Sequence, residues 1–439
     1  MTADTPDIPF GLRLYQAVSG VSGPVARYAL RARLKRGKED ASRLGERMGE
    51  AGRPRPDGPL IWIHGASVGE SLSVLPLVQR IAQIRPQATV LVTTGTITSA
   101  ELMAERLPAN ALHQFIPVDH PGYVDRFLAH WRPDAALFVE SEFWPNLILR
   151  TKQAGTPLAL VNGRISPKTY ENWKKRPRTI RALLSAFDVL IAQDQVNADR
   201  LHELSGADVS VFGNLKLAAD PLPAPRDLMQ DMQRAVGARL LWLAASTHPG
   251  EEEIAVDAHR ELRAAHPELL LLLAPRHPVR GDEVATLIAE KGLSYARRSH
   301  GALPGPETAV YLADTLGELG VYYRLADIAF VGGSVAEKGG HNPLEPARLH
   351  TSILHGPHTF NFAEIYNDLR MAGGAALVRN DRDLVMAIGR LLGDAKTRAS
   401  MANVAETSAE ASAVKVLDEV VARLEAMLPL AGAPVPETP

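Results

Sequence analysis

The 439-residue chain has no cysteine, which excludes disulfides, cysteine-ligated iron–sulfur clusters and thiolate catalysis and is compatible with a cytosolic setting. Net charge is nearly absent too. Lys+Arg of 48 against Asp+Glu of 50 leaves a formal −2, so there is no global basic field of the kind that nucleic-acid binding uses, and any anion site must be local. Long apolar runs are also missing. Between Phe10 and Val25 the moderately apolar stretch is broken by Arg13, Gln16 and Pro24, short of the roughly 18–20 residues of a spanning helix. What remains, 46% hydrophobic and 22% charged residues, is ordinary for a folded chain, and the length suggests two large domains.

Behind the interrupted apolar stretch, "RYALRARLKRGK" crowds Arg27, Arg31, Arg33, Lys35, Arg36 and Lys38 together. This reads either as an interfacial helix held on anionic lipid, each basic group contributing about 1 kcal/mol, or as a solvated helix face. A cleavable signal peptide does not fit, because the charges follow the apolar stretch.

From residue 58 short apolar runs alternate with amphipathic ones. Strands are expected at Leu60–His64, Thr89–Thr93, Ala135–Val139, Leu158–Val161, Val189–Ala192 and Val209–Phe212, with helices such as Ser71–Ile84 and Tyr123–Trp131 between them. After the proline-rich "NLKLAADPLPAPRDL" the alternation restarts at Leu240–Ala244, Leu269–Ala274, Val310–Leu312, Ile328–Val331, Ile353–Leu354 and Ala375–Val378. The expected fold is therefore α/β, two doubly wound Rossmann-like domains facing across a cleft, with a last helix at Val404–Met427 long enough to return across it.

The loop "LIWIHGASVGES" (60–71) admits three readings. A phosphate loop needs a lysine where Glu70 stands. Gly65-Ala66-Ser67-Val68-Gly69 satisfies G-x-S-x-G, but it follows the chain's first strand, a poor context for a hydrolase nucleophile. Glu70, near a helix start, is either a positioned base or a helix cap, and the loop alone favours the cap. "ALFVESEFWPN" closes another strand with Glu140 and Glu142, adding acid to the same rim. In the second half, Arg276 ends "LLLLLAPRH", "DTLGELG" opens a helix around Leu316 to Glu318, and "GGHNPLEPA" follows a strand; an arginine beside a helix start suits an anion of phosphate type, and Glu345 suits two ribose hydroxyls. Against these stand capping boxes at Thr315-x-x-Glu318 and Asn342-x-x-Glu345 and a surface ion pair for Arg276.

Together "HGASVGE", "FVESEFWPNLI", "NGRIS", "FGNLK", "STHPGEEE", "PRHP", "ADTLGEL", "FVGGSVAEKGGHNPLEPA" and "GPHTFNF" resemble the 3-deoxy-D-manno-octulosonic acid (Kdo) transferases of lipid A biosynthesis, glycosyltransferase family 30, from about Arg43 to the last helix. The resemblance implies a two-domain GT-B enzyme that transfers Kdo from CMP-Kdo to a lipid A precursor, lipid IVA, with inversion, at the cytoplasmic face of the inner membrane. It needs no cofactor or metal. It implies Glu70 as base, Glu140 and Lys216 as transition-state stabilisers, and CMP contacts at Pro275, Arg276, Leu316, Gly317, Glu318, Asn342, Pro343, Leu344 and Glu345. Ser67, Gly69, Glu142 and Arg164 fall on the acceptor side, and the basic "WKKRPRTIR" (173–181) is either a phosphate contact or a solvated face. Its partners would be the donor, the lipid acceptor and an anionic membrane surface, with no nucleic acid. The implied layout is a membrane-proximal segment at 1–40, an acceptor domain at 41–217, a linker at 218–228, a CMP-Kdo domain at 229–402, a helix at 403–428 and a flexible tail at 429–439. A serine hydrolase using Ser67 and a non-catalytic nucleotide-binding module are the alternatives.

Overall fold

Uninterrupted apolar runs make parallel strands covered by helices on both faces, because such a strand has no side left for polar residues. Leu270–Pro275 illustrates the consequence: Leu271 and Leu273 pack into one core beside Trp242 and Val310, while Leu270 and Leu272 pack into another beside Met232 and Tyr322. Each large side chain so buried contributes roughly 1.5–3 kcal/mol.

The computed structural model describes residues 8–429. It forms two units, one comprising the described residues up to Ala219 with those from Ala413 onward, the other Asp220–Ser412. The first holds β1 (Leu60–His64), β2 (Thr89–Thr94), β3 (Ala111–Phe115), β4 (Ala135–Val139), β5 (Leu158–Gly163), β6 (Val189–Ala192) and β7 (Ser210–Val211), all parallel, in the order β3-β2-β1-β4-β5-β6-β7. The second holds β8 (Leu241–Thr247), β9 (Leu270–Pro275), β10 (Tyr295–Arg297), β11 (Val310–Leu312), β12 (Ile328–Val331), β13 (Ser352–His355) and β14 (Ala375–Leu377), also parallel, in the order β10-β11-β9-β8-β12-β13-β14. Strand order reverses between β1 and β4 in one sheet and between β8 and β12 in the other. Those are the switch points at which loops part and ligands bind in open α/β sheets. The glutamate-bearing loops follow β1 and β4, and the "STHPGEEE" and "GGSVAEKGGHNP" loops follow β8 and β12.

Some expectations need correcting. β3 and β10 were not anticipated: "ALHQF" and "YAR" are edge strands with polar residues. The 209–212 strand shrinks to Ser210–Val211, and the last helix runs Ala395–Leu424 instead of Val404–Met427. The N-terminal segment forms two helices, Phe10–Val21 and Gly23–Lys35, separated at Ser22 ahead of Pro24. The first is pinned to its unit where the Tyr15 hydroxyl donates to Asp119 (2.9 Å), whose carboxylate also accepts the Asn146 and Leu147 amides. Residues 1–7 of the N-terminal segment and 430–439 of the tail lie outside the described residues.

Candidate active site

In the first unit, β1 leads through Gly65 and Ala66 to Ser67, the N-cap of helix Val68–Ile84. The helix thus starts two residues before Glu70. The Glu70 amide donates to Ser67 Oγ (3.3 Å), Ser67 Oγ donates to Glu70 Oε1 (3.0 Å), and the Ala66 amide donates to Oε2 (2.6 Å). This reciprocal arrangement is a variant of a capping box, in which Glu70 takes the N-cap hydroxyl and the amide one residue before the N-cap in place of the N-cap amide. The carboxylate nonetheless stays half-exposed, and the two bonds it accepts fix its direction. Ser67 spends its hydroxyl on Glu70 and not on a histidine, so the G-x-S-x-G match has no nucleophile geometry.

β4 is followed by Glu140, which occupies the left-handed region (φ 58°) and turns a buried carboxylate toward Lys216, with Nζ at 3.2 Å from Oε1. Lys216 is placed by its neighbours: the buried Asn162, itself at φ 55°, accepts the Leu215 amide (3.0 Å), and Asn214 accepts that of Lys216 (2.9 Å). Glu142 accepts a hydrogen bond from the Trp144 indole, and burial, together with the charges of Glu70 and Glu140, pushes its carboxyl above the ordinary range. Arg164 follows β5, exposed, its amide donating to the Glu140 carbonyl (3.4 Å). Glu70, Glu140, Glu142 and Lys216 therefore form one cluster, and Arg164 borders it through backbone.

In the second unit, Pro275 closes β9, and Arg276 follows with an exposed guanidinium that makes no ion pair among the described residues. Helix Leu319–Leu325 starts three residues later than expected, because Gly317 turns at φ 82° and Glu318 becomes the N-cap position. The Glu318 side chain is already engaged: Arg298 donates two hydrogen bonds to it (2.9 and 2.7 Å), and the Thr315 and Tyr322 hydroxyls donate too. The amides of Leu316 and Gly317 make no hydrogen bond to described residues. Asn342 Oδ1 accepts the Leu344 amide (3.1 Å), so Asn342 acts as a local cap. Burial pushes the Glu345 carboxyl up to about 7, with Asn342, Arg276 and Arg348 pulling it down. The Asp381-x-Asp383 pair opens helix Asp381–Gly393, where Asp383 accepts the Arg379 amide and is a cap.

Sequence reasoning missed what holds the second site together. Glu251, fully buried, accepts five backbone amides: Ser334 (3.0 Å), Val335 (2.8 Å) and Ala336 (3.1 Å) on Oε1, Gly333 (2.7 Å) and His248 (3.0 Å) on Oε2. The loop so gripped returns as a hairpin, Gly340 donating to Gly333 (2.7 Å) and His341 to Gly332 (3.2 Å), and this presents Asn342–Glu345. No side chain fits at Gly332, where a Cβ would lie 2.6 Å from the Ser246 carbonyl. His341 meets His248 at 3.0 Å between Nε2 atoms, and burial, with the neighbouring His248 and Arg276, holds His341 down to about 4. One of three adjacent glutamates at a helix start gives no sign that it points inward; the signal available was the invading Gly-Gly after β12.

An acidic cluster with one lysine at one switch point, and an open arginine with a caged loop at the other, suit proton removal on the first unit and anion binding on the second. Comparison with known proteins agrees in kind. Residues 42–219 match the family described as 3-Deoxy-D-manno-octulosonic-acid transferase (kdotransferase). A 3-deoxy-D-manno-octulosonic acid transferase of Haemophilus influenzae is 36% identical over 370 residues, covering 82% of this chain and 86% of that protein. One from Rickettsia bellii is 34% identical over 412 residues, covering 93% and 97%. Among solved structures, a glycosyltransferase from Rickettsia africae superposes with a TM-score of 0.56 at 12% identity, covering 85% of this chain and 99% of that one, a likeness of fold.

Proposed function

The chain belongs to the Kdo transferase family, a glycosyltransferase with the GT-B fold, and from that premise we propose that it transfers Kdo from CMP-Kdo to a phosphorylated lipid A precursor, lipid IVA, inverting the anomeric centre, with Glu70 as general base. The observation that carries the reading is the fixed, half-exposed Glu70 carboxylate at the β1–β4 switch point. Its oxygens already accept two bonds, yet each has a further lone pair for an acceptor hydroxyl. Direct attack by that hydroxyl on the anomeric carbon forms the new glycosidic bond on the face opposite the departing CMP, and the hydroxyl proton passes to Glu70. General-base assistance of this type contributes about 10²–10⁴-fold.

Charge must also be managed, since donor and acceptor are anions. Lys216, held by Glu140, suits the Kdo carboxylate or the phosphate as charge builds on the leaving group. On the second unit the exposed Arg276 suits the CMP phosphate, the Leu316 and Gly317 amides offer further donors, and Glu345 suits the ribose hydroxyls. Glu318 is the weaker contact, because its carboxylate is occupied by Arg298.

The lipid acceptor implies a membrane surface. Phe10, Leu14, Val18 and Val21 are 80%, 52%, 58% and 80% exposed along one face of the first helix, while Leu12 is buried on the other; Val25 and Tyr28 continue the exposed face beside Arg27 and Arg31. Among the described residues no helix is long and apolar enough to cross a membrane. An apolar stripe flanked by cations supports peripheral attachment to the anionic inner leaflet. Mass analysis of the product made by the purified protein from CMP-Kdo and a tetraacyl lipid A precursor tests the whole reading.

A further inference from the structure

His64, the last residue of β1, is completely buried next to the acidic cluster, and nothing above uses it. Its Nδ1 lies 3.1 Å from the Thr93 carbonyl and 3.0 Å from the Thr93 hydroxyl. A carbonyl only accepts, so Nδ1 carries the hydrogen and Nε2 keeps a lone pair. Nε2 is buried with no hydrogen-bond partner among the described residues, and a Glu142 carboxylate oxygen lies 3.9 Å from it. An acceptor facing a second acceptor in a largely buried site leaves Nε2 unsatisfied, at a cost that a single hydrogen between the two removes.

We propose that Glu142 is kept as a neutral carboxylic acid that donates its hydrogen to Nε2 of His64, making the pair a positioning device for the catalytic rim. The 3.9 Å gap closes by a small rotation of the Glu142 carboxyl, which retains the Trp144 bond on the same oxygen or shifts it to the other. The groups facing the pair agree. Burial holds His64 down to about 4, with Arg47 adding to the effect, so the imidazole stays neutral; Glu142 is pushed up by burial and by the charges of Glu70 and Glu140, of which Glu140 is itself paired with Lys216. The consequence rests on the reading of Glu70 as base. With Glu142 uncharged, the rim carries one negative charge fewer, which lets an anionic substrate approach Glu70.

Full-length protein labelled with [¹³C-carboxyl]Glu and [¹⁵N]His, without substrates, provides a readout independent of catalysis. The Glu142 carboxyl should titrate above the ordinary carboxylate range, and His64 should show the Nδ1–H tautomer with a hydrogen-bonded Nε2. In Glu142→Gln the side-chain amide donates in place of the acid, so the His64 signal is kept and most of the turnover remains. In Glu142→Ala the Nε2 signal moves to that of a free acceptor and kcat falls on the order of tenfold, the equivalent of one hydrogen bond. Titration of Glu142 in the ordinary range, an Nε2–H tautomer, or a Gln variant as impaired as Ala would overturn the proposal. Full activity in Glu70→Gln would sink the base assignment while leaving the Nδ1–H tautomer and the hydrogen-bonded Nε2 of His64 as they are, so the two failures are distinguishable.

Discussion

Glu251→Gln probes the clasp behind the proposed nucleotide loop. The wild-type carboxylate takes three amides on one oxygen and two on the other, all out of water. Glutamine can keep the three on its carbonyl, but its NH₂ then faces the Gly333 and His248 amides, donor against donor. Two lost charge-assisted bonds at about 1.5–3 kcal/mol each give roughly 3–6 kcal/mol, a large share of the 5–15 kcal/mol typical of a domain. Urea titration followed by Trp242 fluorescence, read alongside CMP calorimetry, should show an earlier transition for the second unit and weaker CMP binding, since the hairpin presents Asn342–Glu345. Glu253→Gln, at the third residue of the same helix, half-buried and, among the described residues, accepting the Gly250 amide, serves as the control. A Glu251→Gln protein less than about 1 kcal/mol destabilised, with unchanged CMP affinity, would refute the clasp.

The donor assignment predicts that Arg276→Ala and Glu345→Ala each lower CMP affinity about ten- to a hundredfold while Glu70→Ala leaves it nearly unchanged, by calorimetry. Because ribose hydroxyls donate to an ionised Glu345, CMP affinity should rise as pH rises through about 7, where that carboxyl deprotonates, and Glu345→Gln should flatten the dependence. Loss of CMP binding in Glu70→Ala alone would reverse the roles of the two units. For the membrane, Phe10→Glu with Leu14→Glu should cut sedimentation with anionic vesicles by more than about tenfold, each lost apolar contact contributing roughly 1.5–3 kcal/mol, and the remaining binding should weaken with salt. Equal sedimentation of variant and wild type would move the contact elsewhere, for instance to 173–181.

Central parallel strands were legible because burial on both faces writes them as unbroken apolar runs: Leu60–His64, Ala135–Val139 and Ile328–Val331 agree to the residue. Edge strands β3 and β10 were not, since His113, Gln114 and Arg297 belong to no such run. Glu140 and Arg276 could be placed just after strand ends, and Glu70 near a helix start, because such boundaries are local features. The inward turn of Glu251, the ion pair that occupies Glu318 and the lone pair of His64 depend on contacts with residues 82, 20 and 78 positions away in the chain, and no local pattern carries them.

The most direct measurement is product mass spectrometry under single-turnover conditions, comparing wild type with Glu70→Gln on CMP-Kdo and a tetraacyl lipid A precursor. The account predicts a precursor enlarged by whole Kdo units for the wild type, and for the Gln variant a rate lower by about two to four orders of magnitude with CMP affinity intact. Kdo transfer by Glu70→Gln at near wild-type rate, or no Kdo-bearing lipid from the wild type, would contradict it.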